Sequence, residues 1–280
     1  MKYGFVLNGG DIPLLPGIAA EAETAGWDGL FVADGMALGS EKFPDFPWFD
    51  PWVVLGAMAV RTKRIRLGTM ITPVSRRRPW KLARETVTID HLSNGRLIFG
   101  VGLGAADDDG GFFKVGEAID LRVRAELLDE GLEIMNSLWK TKPVTFSGKH
   151  YKVDKMSMLP APVQKPRIPV WVVGVWPKEK SMQRVLRWDG IIPQPYKATP
   201  ADTPTPSLIR EIRTYIEKHR RKKTPYDIIA GGQTPGGKRK QALETVRPFE
   251  EEGATWWLES VWGSMDKVRK RIKQGPPGTD

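Results

Sequence analysis

Short apolar runs recur along the chain near Gly4–Leu7, Leu30–Val32, Ile65–Met70, Leu97–Val101, Val170–Val173, Gly190–Ile192, Ile228–Ala230 and Trp256–Leu258. They are continuous rather than alternating, as expected of parallel strands buried on both faces. Between them the apolar positions change period. Leu15, Ile18, Ala22 and Ala25 share one helical face. Leu121, Ala125, Leu128, Leu132, Met135 and Trp139 step by four and three residues along a second helix. Leu208, Ile212 and Tyr215 do so on a third, which ends in the basic stretch His219–Lys223. Eight strand–helix units in 280 residues predict an α/β fold, a (β/α)8 TIM barrel. The rival, an open doubly wound sheet, would send its first glycine loop straight into a helix. Here Asn8-Gly9-Gly10 leads into Asp11-Ile12-Pro13.

One stretch breaks the rhythm. Val144-Thr145-Phe146, Ser147-Gly148-Lys149 and His150-Tyr151-Lys152-Val153 read as a β-hairpin with a glycine-containing turn. Pro160, Pro162, Pro166 and Pro169 then carry an extended chain into the fifth strand. Residues 1–280 are therefore expected to form one domain, with an insertion at about 140–168 between strands 4 and 5. The Pro/Thr-rich Ala198–Pro206 has the length of a lid over the end of the sixth strand.

Composition narrows the class. The mean hydropathy is −0.35 and no long apolar stretch occurs, so no membrane span is expected. The N-terminal residues turn polar too soon for a signal peptide. There are no cysteines, which excludes disulfides, thiolate metal sites and a cysteine nucleophile. A cytoplasmic protein is the expectation. The net charge is +10, from 43 Lys and Arg against 33 Asp and Glu. The basic clusters Arg76–Arg78, His219–Lys223, Lys238–Lys240 and Lys267–Lys273 are scattered. They read as a solvated outer face, with attraction to anionic ligands as the remainder, and nucleic acid is not an expected partner.

Candidate chemistry gathers where strands end. Gly100-Val101-Gly102-Leu103-Gly104 closes the fourth strand, where glycines let a backbone approach a flat or phosphorylated ligand. Thr72, before Pro73 at the end of the third strand, can hydrogen-bond a ligand edge. Gly174-Val175-Trp176-Pro177-Lys178 ends the fifth strand and opens a helix, whose free amides with Lys178 suit a phosphate. Gly231-Gly232-Gln233-Thr234 is a rival phosphate cradle. Asp34 ends the second strand, at the face where barrel enzymes place catalytic groups, whereas Asp50 before Pro51 reads as a helix cap. Arg84, Glu85 and Asp90 read as structural ion pairs, and Asp107–Asp109 as a polar loop rather than a metal site. His91, His150 and His219 form neither a Ser-His-Asp nor a metal constellation, so no metal is expected. Trp48, Trp52, Trp80, Trp171, Trp176, Trp256 and Trp257 fall near strand ends or neighbouring loops. There they read as divided between the core and a mouth suited to a flat conjugated ligand.

Taken together, these segments resemble the bacterial luciferase-like, flavin-dependent oxidoreductases, a family that includes coenzyme F-420 (F420) enzymes. The carriers are AEAETAGWDGLFVAD (Ala20–Asp34), DPW (Asp50–Trp52), the block Arg64–Leu97, GVGLGA (Gly100–Ala105) and LLDEGLEIMNSLW (Leu127–Trp139). To these add the FSGKHY hairpin, LPAPVQKPRIPVWV, RWDGIIP (Arg187–Pro193) and GATWW (Gly253–Trp257). Within the central block TP, RRP, ARE, D-x-LS-NGR and GVGLG occur in a specific order and spacing. The resemblance implies a barrel that binds reduced FMN or F420 at the carboxyl-end face, with a non-prolyl cis peptide within Thr69–Ile71 backing the ring. It implies that Thr69, Met70, Thr72, Gly102, Leu103 and Gly104 border the ring and its side chain. Gly174, Val175, Trp176 and Lys178 would hold the phosphate. One departure stands out. Many members follow the strand-two Asp with a His assigned to proton transfer, whereas here Asp34 precedes Gly35. Asp34 is then the candidate catalytic group, or substrate-side groups take the role, or the step is absent.

The expected activity is a monooxygenase using reduced FMN and O2 on a small organic substrate, with a separate flavin reductase as partner. The alternative is an F420-dependent hydride-transfer dehydrogenase or reductase. A non-catalytic flavin- or ligand-binding barrel is the third reading. Family members are often dimers, which leaves a homodimer open.

Overall fold

The computed structural model describes residues 1–35, 48–104, 112–197 and 203–278. Asp107–Asp109 and most of the Ala198–Pro206 loop lie outside them. The chain runs β1 (Lys2–Leu7), α1 (Leu15–Thr24), β2 (Gly29–Val32), α2 (Pro51–Arg61), β3 (Arg66–Thr69), β4 (Thr72–Pro73), α3 (Pro79–Leu92), β5 (Leu97–Gly102) and α4 (Leu121–Leu138). It continues with β6 (Val144–Ser147), β7 (Lys152–Met156), β8 (Val170–Trp176), α5 (Glu179–Val185), β9 (Gly190–Pro195), α6 (Pro206–His219), β10 (Asp227–Gly232), α7 (Arg239–Glu251), β11 (Trp256–Ser260) and α8 (Met265–Lys273).

Eight strands pair in parallel around a closed ring, β1-β2-β3-β5-β8-β9-β10-β11 and back to β1. The two-residue β4 continues β3 past a short break and pairs with β5. The fold is the TIM barrel that the apolar runs predict. Helix starts follow capping chemistry. The Asp50 carboxylate accepts from the amides of Trp52 and Val53, with Pro51 at the first helical position of α2. Asp120 caps α4, Thr205 caps α6 and Ser264 caps α8. The insertion is the expected hairpin, β6 antiparallel to β7. It is clasped to α4 by Glu130, which accepts from the amides of Lys149, His150 and Tyr151.

Two apolar layers hold the barrel. The larger lies between strands and helices and includes Phe5, Leu30, Leu55, Leu67, Phe99, Leu132 and Trp257. The smaller fills the barrel interior: Val6, Phe31, Ile98, Trp171, Ile229, Trp256 and Leu258, with Met70 and Ile192 packed above. Because side chains alternate along a strand, Trp256 and Leu258 point inward while Trp257 and Glu259 point toward the helices. Phe31, Trp171 and Trp256 meet with ring centroids 5.2 to 5.9 Å apart. Trp171 and Trp256 stand at the amino-terminal ends of β8 and β11, so they plug the bottom of the barrel rather than line its mouth. Trp52 likewise packs on Phe99 in the helix layer, and Trp257 on Phe249. Of the tryptophans singled out in the sequence, Trp48 and Trp176 reach the carboxyl-end rim. Among the described residues no helix is long and apolar enough to cross a membrane, and no cluster of three His, Asp or Glu could hold a metal ion.

Candidate active site

The carboxyl-end face begins above the aromatic plug, on a floor of Met70 and Ile192. Three glycines of β5 and its exit loop bring the backbones together there. A Cβ at Gly100 would run into the Thr69 carbonyl; one at Gly102 would press on Val173 at 2.9 Å and Ile71 at 3.0 Å. The Thr69 hydroxyl donates to the Gly100 carbonyl at 2.8 Å, tying β3 to β5. Gly104 takes φ +81°, a conformation that favours glycine, and a Cβ there would meet the Arg76 guanidinium at 2.8 Å. The peptide between Met70 and Ile71 is cis, inside the interval that the resemblance marks.

Directly after that bond comes Thr72. Its residue is fully buried, and its hydroxyl has no hydrogen-bond partner among the described residues; the same holds for the Ser75 hydroxyl. Buried hydroxyls normally find a partner in the protein or in what the protein binds. Beside Asp34 the structure places Thr72, the residue expected to meet a ligand edge. Met70, Ile71, Leu103 and Gly104, each partly exposed, border it.

Asp34 sits beside this floor and is not a free acid. Arg77 donates from Nε to Oδ2 at 2.9 Å and from an η nitrogen to Oδ1 at 2.8 Å, a fork-to-fork pair. The same guanidinium reaches Asp50 at 3.3 Å. Burial pushes the Asp34 carboxyl above its usual range, opposed by the hydrogen bonds and charge of Arg77. The Thr72 hydroxyl pulls weakly in the same direction as Arg77 without reaching hydrogen-bond geometry. Arg77 therefore does not belong to a solvated outer face, as the Arg76–Arg78 cluster suggests in the sequence. It links the loops after β2 and β4, and Arg76 lies against Gly104 on the same rim.

Gly35 acquires a physical reason. A Cβ there would stand 2.6 Å from the Trp48 ring, so the indole occupies the space of a side chain at this position.

Across the mouth, the segment expected to hold a phosphate is partly engaged with itself. The Val175 amide donates to Ser181 Oγ and the Lys178 amide to the Val175 carbonyl, so two of the anticipated free amides are already used. Gly174 faces Ile191 and Val185, away from the barrel axis. Trp176 donates its indole N–H to Glu211 on α6. The Lys178 ammonium lies 3.6 Å from the Tyr196 ring centroid, with Lys197 at 5.7 Å from the same ring. The rival cradle after β10 is tied up from behind. Both the Thr234 amide and hydroxyl donate to the buried Glu259 carboxylate, which also takes the Trp257 indole N–H and pairs with Arg271. That loop reads as structural.

Counting inward positions by two from Val6, Ile192 and Leu258 brings Asn8, Gln194 and Ser260 to the inner rim. Asn8 Nδ2 donates to Ser260 Oγ at 3.3 Å, and Gln194 is exposed. The motif reading passes over these three, although the period-two signal contains them.

Known proteins agree with this architecture. The chain is 34% identical over 272 residues to an uncharacterized protein of Mycobacterium tuberculosis (strain ATCC 25618 / H37Rv), covering 91% of this chain and 88% of that one. It is 29% identical over 245 residues to the F420-dependent glucose-6-phosphate dehydrogenase of Nakamurella multipartita, covering 87% of this chain and 67% of the relative. A solved F420-dependent secondary alcohol dehydrogenase, in complex with an F420-acetone adduct, superposes with a TM-score of 0.77 at 18% identity. The match covers 99% of this chain and 98% of that one, a likeness of fold. The family model for luciferase-like monooxygenases matches residues 7–274, and the chain belongs to that family of oxidoreductases.

Proposed function

We propose that this protein is an oxidoreductase that binds F420 across the carboxyl-end mouth and exchanges a hydride with a small organic substrate. The observation that carries the reading is the buried Thr72 hydroxyl, beside Asp34 and without a partner in hydrogen-bond geometry among the described residues, next to an apolar floor, a place fitted to the polar edge of a flat ring. The residues present fit such a group. Met70, Ile71 and Ile192 offer a dry surface, and Gly102 and Gly104 allow close backbone approach. Lys178 and Lys197, held over Tyr196, suit an anionic tail longer than a single phosphate, which favours F420 over FMN. The curated relative named for F420 matches most of this chain and weighs the same way. When bound, the deazaflavin ring supplies the hydride chemistry. The protein's own residues orient it, exclude water and fix the loops through Arg77 and Asp34. Asn8, Gln194 and Ser260 face the substrate from the opposite rim. With Asp34 locked by Arg77 and Trp48 seated on Gly35, we assign Asp34 a positioning role.

The competing reading is reduced FMN with O2, and the family's description as luciferase-like monooxygenases weighs that way. The apolar floor favours it, since oxygen chemistry requires a site that keeps water out. Fluorescence titration with F420 and with FMN separates the two. Micromolar binding of F420 with none of FMN is expected. Binding of FMN alone would move the assignment to the monooxygenase, and binding of neither would sink both.

A further inference from the structure

One wide cavity among the described residues lies away from the mouth. It is a trough of about 1100 Å³ on the flank of the barrel, between α4, α5 and the end of α6. Its origin is geometric: α5 has seven residues, about 10 Å of helix, and leaves the space beside α4 uncovered.

The charges along this trough do not balance. Six Lys and Arg side chains line it against three carboxylates. Each carboxylate already has its partners. Glu126 is held by Arg122, Lys149 and His150. Asp129 is shared by Arg184, which grips both its oxygens at 2.8 and 2.9 Å, and by Arg187. Glu179 accepts from Gln183 at 2.7 Å and lies near the Tyr215 hydroxyl. Lys180 and Arg221 make no ion pair with any described residue. Lys222 spends a proton on the Arg187 carbonyl at 2.6 Å. Its ammonium is destabilised, first by burial and then by Arg167, with Asp189 opposing and Arg220 and Arg187 adding to the effect. Two guanidiniums on one carboxylate, with unpaired Arg221 and Lys222 beside them, leave an uncompensated cationic wall. Arg184 gives that wall a fixed base, since its side chain is only 9% exposed. Ala125 and Leu186 supply apolar surface in the same trough.

We propose that this trough is a second ligand site, taking a phosphate-bearing small molecule whose anionic group is held by Arg187, Arg221 and Lys222. A concave trough of this volume suits a small molecule better than a flat macromolecular contact. Guanidiniums suit phosphate because their N–H groups pair with two of its oxygens at once. The proposal does not rest on the oxidoreductase reading, because the trough lies outside the barrel mouth.

Calorimetric titration of the whole protein with inorganic pyrophosphate, against sodium chloride of matched ionic strength, tests it. Saturable binding with a submillimolar Kd is expected. Arg221→Ala should weaken it at least tenfold with an unchanged melting temperature, and Arg221→Lys should keep most of the affinity. F420 or FMN at saturation should leave the pyrophosphate Kd within twofold. No saturable binding, an unaltered Kd in Arg221→Ala, or displacement of pyrophosphate by the cofactor would each overturn the assignment. So would binding of poly-glutamate without binding of pyrophosphate, which would indicate an acidic protein partner instead.

Discussion

Two arginines nineteen positions apart, one before and one after the same helix, teach different lessons. Arg96, in the turn between α3 and β5, lies at the bottom of the barrel. Arg77, before α3, lies at the top. Arg96 is buried and makes no ion pair with a described residue, Glu23 acting on it only from a distance. It donates to the carbonyls of Ala59, Thr62, Ile65 and Ser93 and to the Thr62 hydroxyl, clamping α2, β3 and α3 together. Burial lowers its pKa. Arg77 instead grips an acid, Asp34, and ties two loops of the carboxyl-end rim together. Both belong to the one block of sequence that most strongly marks the family. The Asn94-Gly95-Arg96 part of that block is scaffolding: Asn94 and Gly95 take φ +53° and +77° to turn the chain, and Asp90 anchors Gln164. The Thr72-Pro73 and Arg77 part builds the site. A distinctive motif therefore says which fold is present without saying which of its residues meet a ligand.

Substitutions can break this contrast. Arg96→Met should be the most damaging, because several buried carbonyls lose their donors at about 1–3 kcal/mol each. Urea denaturation should show a loss of about 4 kcal/mol, near the upper end for single substitutions. The remaining folded protein should bind cofactor normally. Arg77→Met should cost about 3 kcal/mol by stranding the Asp34 carboxylate in a buried place. Adding Asp34→Leu should restore most of that stability while cofactor affinity stays impaired. If affinity recovers as well, the pair has no part in the site. Gly35→Ala pushes a methyl into the Trp48 ring and should cost about 2 kcal/mol, relieved when Trp48→Ala is added.

Smaller effects sharpen the contrast. Thr72→Val removes a hydroxyl that has no partner in hydrogen-bond geometry among the described residues. Melting temperature should hold or rise slightly, while cofactor binding should weaken about fivefold, equivalent to about 1 kcal/mol. An equal loss in both would mean the hydroxyl serves the fold. The last test concerns the hairpin clasp. Hydrogen bonds from Lys149 and His150 hold the Glu126 carboxyl down at about 2. A pKa depressed on folding stabilises the folded state above the unfolded value of about 4.3 and is lost as pH falls toward the folded one. Hydrogen-exchange protection in the β6–β7 hairpin, corrected for the intrinsic exchange rate at each pH, should therefore fall between pH 4 and pH 2 in the native protein, and less so in Glu126→Gln.

The barrel, the hairpin and the Asp50 cap are legible in the sequence because each is local: an apolar run, a glycine turn, an Asp before a Pro. Strand starts fall within two residues of the apolar runs and strand ends within three. The site is legible only where a single position carries the signal, as with Thr72 and the glycines after it. The Arg77–Asp34 pair spans 43 residues, and the seat of Trp48 on Gly35 spans a loop. Residue type announces neither partner, and a run of three arginines looks like solvent-facing charge until the fold turns one of them inward. The tryptophans of β8 and β11 show the same limit. Their approximate strand positions can be read, but whether they cap the bottom or the top depends on which residue begins the strand.

The aromatic stopper formed by Phe31, Trp171 and Trp256 has a kinetic corollary. Among the described residues these rings close the barrel's base, so a molecule held on the floor above them would have to leave on the side from which it came. Arrival and departure would then not overlap, and a bound molecule slow to depart would exclude the next by occupancy alone.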